Sequence, residues 1–134
     1  MKRIGYLLLC GLALVVVGCQ DEGPSSPSLA QVSGTVTLDG KPMEGGEVRF
    51  LLPGYPPQAY AVQSGAFSGQ AFVGQNQVEV VWEKDGPPNP MNPETFIKVN
   101  VVSPQFSGPN TPFKVDVGPD GASDLKFEVT SARN

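Results

Sequence analysis

The chain predicts an all-β fold, an antiparallel β-sandwich of about seven short strands, on three observations. Apolar residues recur at every second position from Ala30 onward, and turn residues interrupt that alternation at roughly regular intervals. No stretch of this region carries the three-to-four spacing of an amphipathic helix. A small barrel is the competing architecture, because a period of two assigns faces without saying how sheets close.

Taken in order, Val32, Gly34, Val36 and Leu38 alternate with Ser33, Thr35 and Thr37, which turns one row toward a core and a hydroxyl row toward water. Asp39-Gly40-Lys41-Pro42 stops that strand. Gly45-Gly46 permits backbone angles closed to other residues, and Glu47 to Leu52 resumes the alternation through Val48, Phe50 and Leu52. The two strands read as a hairpin with a connection of about six to eight residues. Gln58 to Gln63 and Ala66 to Gln70 are short strands on either side of Ser64-Gly65, and Gln75 to Glu83 is a stronger one carrying Val78, Val80 and Trp82 on one face.

Lys84 to Pro93 contains Pro87, Pro88, Pro90 and Pro93, which remove donors and clash with helical geometry, so the expectation there is a long surface loop. Phe96 to Val102 is a further strand, followed by a loop from Pro104 to Pro112. Pro112 to Val117 and Asp124 to Thr130, joined by the turn Pro119-Asp120-Gly121, close the chain. The expected shared core is Val36, Val48, Phe50, Val80, Phe113, Val115, Leu125 and Phe127, with Trp82 facing inward beside Val78 and Val80.

The N-terminal segment has a different character. Lys2 and Arg3 precede an almost wholly apolar run from Ile4 to Val17, which is short for a membrane span and reads as a segment to be processed. Its end, Val16-Val17-Gly18-Cys19, resembles the lipobox of bacterial lipoproteins, in which a lipidated cysteine becomes the first mature residue. Gly18 fits the small slot before the cut, and the Cys19 thiol supplies the atom for a thioether to diacylglycerol. An ordinary secretory signal with an incidental cysteine, or an uncleaved anchor, is the competing reading. Residues 1–18 are accordingly expected to be the signal peptide, residues 19–29 the lipidated cysteine and its tether, and residues 30–131 the domain. Two or more acyl chains give stable anchoring, which places the mature domain in the cell envelope, outside the cytoplasm and fixed to a bacterial membrane, inner or outer.

Gln20 to Leu29 holds Pro24, Pro27, Gly23 and three serines with little to bury, the composition of a flexible tether. Cys10 lies in the removed segment and Cys19 is blocked by lipid, so folding relies on core packing without a disulfide. All 13 acidic residues remain after processing while Lys2 and Arg3 are lost from the 9 basic ones, leaving a formal charge of −6. That balance argues against nucleic acid, which needs a cationic patch to release counterions.

Val32 to Phe50 carries a family resemblance. Val32-Ser33-Gly34-Thr35-Val36, the turn Asp39-Gly40-Lys41-Pro42 and the strand after Gly45-Gly46 look like the opening hairpin of carboxypeptidase regulatory-like, or transthyretin-like, domains. Small planctomycete-type lipoproteins of that group share a lipobox, a short tether and one such domain. Gly74 to Val80 and Pro119-Asp120-Gly121 match the later part of the family pattern loosely. The resemblance implies a seven-stranded immunoglobulin-like sandwich, usually non-enzymatic, and a fold by itself supplies no role.

Side-chain chemistry points the same way. The chain has no histidine, which removes the usual neutral-pH base and a principal zinc ligand. A Ser-Lys or carboxylate pair stays formally open, without a motif to carry it, and no enzyme activity and no cofactor are expected. Asp116, Asp120 and Asp124 are the best metal candidates, but their spacing departs from the calcium loop and aspartates in turns ordinarily bond their own backbone, so no metal is expected. The loops Pro53 to Pro57 and Pro87 to Pro93 are candidate contact surfaces through Tyr55, nearby Tyr60 and Met91. The expected role is a membrane-tethered structural or protein-interaction module of the envelope. A carbohydrate-binding module, requiring coplanar exposed rings, is the alternative, and an envelope enzyme the third.

Overall fold

The alternating run at the start of the domain forms β1 (Leu29–Leu38) in the computed structural model, which describes Gly18 and residues 27–133. Ala30, Val32 and Val36 are buried while Gln31 and Thr35 are exposed, so the period of two does assign the faces. Cys19 and most of the tether lie outside the described residues.

β1 organises the first sheet. Along one edge it pairs antiparallel with β5 (Ala66–Phe72) and, at Thr37 and Leu38, with the two-residue β2 (Lys41–Pro42). Along the other it pairs with β10 (Ala122–Val129), and that pair is parallel, a departure from the expected purely antiparallel arrangement. Parallel neighbours need a long crossover, and here the rest of the domain supplies it. Gly34 sits where the register shifts; a Cβ there would lie 2.2 Å from the Leu125 carbonyl oxygen, so only glycine allows β10 this close.

The second sheet runs β4 (Gln58–Ala61), β3 (Glu47–Leu51), β6 (Gly74–Val81), β9 (Phe113–Val117), all antiparallel. The two sheets are separate and face a common core, which makes the domain an all-β sandwich and not a closed barrel. Phe50, Phe67, Phe127, Phe113 and Phe106 stand in a continuous row, with successive ring centroids 4.9–6.0 Å apart, that passes from one sheet to the other. Six of the eight expected core residues are buried, and Phe113 and Leu125 are half-buried against them. Phe113 lies on the edge strand β9, where Phe106 from a single 3₁₀ turn (Pro104–Phe106) covers it.

Two further expectations are corrected. The opening strands do not form a hairpin with each other: β1 and β3 belong to different sheets. Asp39 (φ 52) and Gly40 (φ 78) make a two-residue turn of the kind that joins β1 to β2, and both residues adopt the left-handed region it demands. The chain then crosses to the second sheet at Met43, buried between Val36 and Gly65 to which its backbone bonds.

The second correction concerns Lys84 to Pro93, expected as a loop. Glu83–Asn89 forms β7 and Asn92–Asn100 forms β8, an antiparallel ribbon of two strands with register irregularities at the prolines. Proline is excluded from central strands because it has no N–H for the ladder. A two-stranded ribbon has only edge strands, and the missing donors of β7 can face water. β8 also begins before Phe96 and ends before Val102.

The two ends of the sandwich differ. β1 starts beside the end of β5, and the Val73 amide at the β5–β6 corner bonds to the Ser28 carbonyl, so the segment before β1 enters there. At the opposite end lie the β1–β2 turn, Trp82 at the close of β6, and the root of the β7–β8 ribbon.

Candidate interaction surface

The β7–β8 ribbon carries most of the exposed large apolar side chains among the described residues. Met91 is 93% exposed, Phe96 52%, Ile97 42% and Val99 41%. Every residue of β8 except Asn100 is exposed, so neither face of the ribbon rests on the sandwich.

Its root is nevertheless firmly built. The Asn100 side-chain oxygen accepts from the Trp82 amide at 3.0 Å and from the Val102 amide at 3.1 Å, and the Val101 amide donates to the Trp82 carbonyl at 2.8 Å. The Trp82 indole lies over Gly45, where a Cβ would collide with it, a Cβ at Gly46 would meet the Val81 carbonyl oxygen and the Trp82 Cβ, and the Lys84 ammonium stands 3.9 Å above the indole ring. Asp85 and Lys98 form an ion pair directly across the ribbon. At the tip the Asn89 side chain accepts from the Met91 amide at 2.9 Å and that of Asn92 from the Glu94 amide at 3.3 Å, so the turn is held by its own asparagines.

Met91 therefore stands at the tip of this ribbon, while Tyr55 belongs to the other end. Tyr55 packs on Phe72 at 5.1 Å, next to where β1 begins. Tyr60 is half-buried; its hydroxyl donates to the Gln70 carbonyl at 2.7 Å and its ring lies on Gly69, joining the open edges of the two sheets. The loops Pro53 to Pro57 and Pro87 to Pro93 thus do not share a surface, and each tyrosine ring has a different neighbour. Sequence reasoning passed over Phe96, Ile97 and Val99 as exposed contacts. The available signal was that adjacent apolar Phe96-Ile97 breaks the alternation shown by the buried strands.

Other chemistry is sparse. A groove of about 480 Å³ beside β4 and β5 is lined by Tyr60, Ala61, Gln63, Ala66, Phe67 and Ser68, without a carboxylate or amine. Among the described residues no three His, Cys, Asp or Glu side chains converge; Asp116 points outward from β9, Asp120 lies in the turn and Asp124 (φ 56) sits at a backbone kink in β10. The Asp39 carboxylate is held below its usual range by hydrogen bonds from the Ser131 hydroxyl and amide, which fasten the C-terminal segment to the β1–β2 turn.

No family model matches the chain, and no curated protein matches it. Among solved structures, a DUF3823 family protein from Parabacteroides merdae is similar over 80% of this chain, at 19% identity and a TM-score of 0.42. The chain covers 48% of that protein, about half its length.

Proposed function

We propose that this protein is a lipid-anchored, non-catalytic interaction module of a bacterial cell envelope, held to the membrane through Cys19 and presenting the β7–β8 ribbon to a protein partner. The observation that carries the reading is polarity: the segment ending in Val16-Val17-Gly18-Cys19 leads into one end of the sandwich, and the exposed apolar ribbon leaves from the other. An apolar surface raised on a firmly hydrogen-bonded root is the form taken by contact sites, whereas solitary exposed apolar residues carry no such meaning. The lipobox resemblance supports the anchor, and the Val32 to Phe50 pattern supports an immunoglobulin-like sandwich of the carboxypeptidase regulatory-like group. Glycan binding draws less support, since Tyr55 and Tyr60 are engaged with Phe72 and Gly69 and do not make a flat pair.

The test is metabolic labelling with a fatty-acid analogue, comparing wild type with Cys19→Ser, together with membrane fractionation. Wild type is expected to take up label and sediment with membranes, and Cys19→Ser to do neither. Equal labelling of the two chains overturns the anchor.

A further inference from the structure

A two-stranded ribbon exposed on both faces is marginal in water, because it buries too little to offset the entropy of ordering it. Its two edges are also unequal. β7 contains Gly86-Pro87-Pro88, whose prolines lack N–H donors and cannot template another strand. From Glu94 to Asn100, β8 has no proline and is rich in strand-forming residues, Thr95-Phe96-Ile97-Lys98-Val99, with its outer edge unpaired among the described residues. The open edge of β8 therefore has room for an added strand, and the β7 edge does not.

We infer that this strand is β8 of a second copy, paired antiparallel about a two-fold axis at Phe96. The argument is charge. Setting Phe96 against itself places Glu94 of each copy opposite Lys98 of the other, so the edge is complementary to itself at two symmetric positions. Lys98 already faces Asp85 across its own ribbon, so the shared sheet carries a row of alternating sign, Asp85, Lys98, then Glu94 of the second copy. Antiparallel pairing also puts the two ribbon roots at opposite ends, which keeps the sandwiches apart. The prolines of β7 stop growth at four strands, giving a closed dimer where an open edge on both sides would give a filament.

This inference rests on the reading of the domain as an interaction module and names its partner. It is tested by disulfide trapping of the full-length chain in membranes of the expressing cells. Phe96→Cys lies on the axis and is expected to give an oxidised dimer, whereas Val99→Cys, far from its own symmetry mate in this register, is expected to stay monomeric. In the Phe96→Cys background, Glu94→Lys and the double variant Asp85→Lys with Lys98→Glu, which keeps an opposite-charge pair across its own ribbon, each bring like charges together twice at the dimer seam and are expected to lower the trapped dimer about tenfold. Co-expression of the two charge variants restores both opposite-charge pairs and is expected to restore the dimer between unlike chains. Equal trapping at positions 96 and 99, or failure of the mixed charge variants to recover, overturns the proposed pairing. Fatty-acid labelling of the same membranes reports the anchor independently, so a failed anchor and a failed dimer are told apart.

Discussion

Cutting Phe127 to alanine removes the middle of the aromatic row that joins the sheets. Its ring is 4% exposed, with the Phe67 centroid at 5.8 Å in its own sheet and the Phe113 centroid at 4.9 Å across the core. Truncation of a buried phenylalanine costs about 3–5 kcal/mol through lost transfer energy and an unfilled cavity. The neighbours here are themselves rings fixed in opposing strands and collapse poorly into the gap, which places the expected loss toward the upper part of that range. A small domain is typically stable by only about 5–15 kcal/mol, so the variant is expected to be marginal or unfolded. Urea unfolding read by fluorescence of Trp82, the only tryptophan, measures this directly. Phe96→Ala supplies the contrast: the same residue type on the exposed ribbon should change monomer stability by no more than about 0.5 kcal/mol. A loss below about 1 kcal/mol for Phe127→Ala, or equal losses for both variants, refutes the argument that the row binds the sheets together.

Asp39 predicts a pH dependence with a definite sign. Its folded pKa is depressed by the Ser131 bonds, so its contribution is present above the ordinary aspartate range and is lost as pH falls through the folded value. Asp39→Asn tolerates the same left-handed turn and keeps an acceptor, so thermal melts should show it below wild type at neutral pH and converging on it in acid; a constant gap across pH would contradict the assignment. Gly121→Ala meets both a φ of 86° and a Cβ only 2.0 Å from the Gln31 carbonyl oxygen, whereas Gly40→Ala meets a φ of 78° with open space around it. The first is expected to destabilise by more than about 2 kcal/mol and the second by about 1 kcal/mol, with chemical denaturation as the check.

Faces and turns were legible because they are local properties. Burial at Val32, Val36, Val48 and Phe50 follows from alternation, and Asp39-Gly40 and Pro119-Asp120-Gly121 mark chain reversals through the backbone angles they allow. Partners were not legible. Nothing in Val32 to Phe50 says that β1 pairs with the last strand in parallel while β3 joins another sheet, since every strand of a sandwich presents the same alternating pattern to either neighbour. The proline-rich segment misled for a related reason: missing donors forbid a central strand, but only the three-dimensional arrangement shows whether a strand has an edge to spare. Exposure of Phe96, Ile97 and Val99 was likewise a tertiary decision, because a hydrophobic side chain is buried only when another layer arrives to cover it. The Val16-Val17-Gly18-Cys19 motif and the residue types that bound the chemistry are read from the sequence alone; which end of the sandwich receives the segment before β1, and which end raises the ribbon, belongs to the fold.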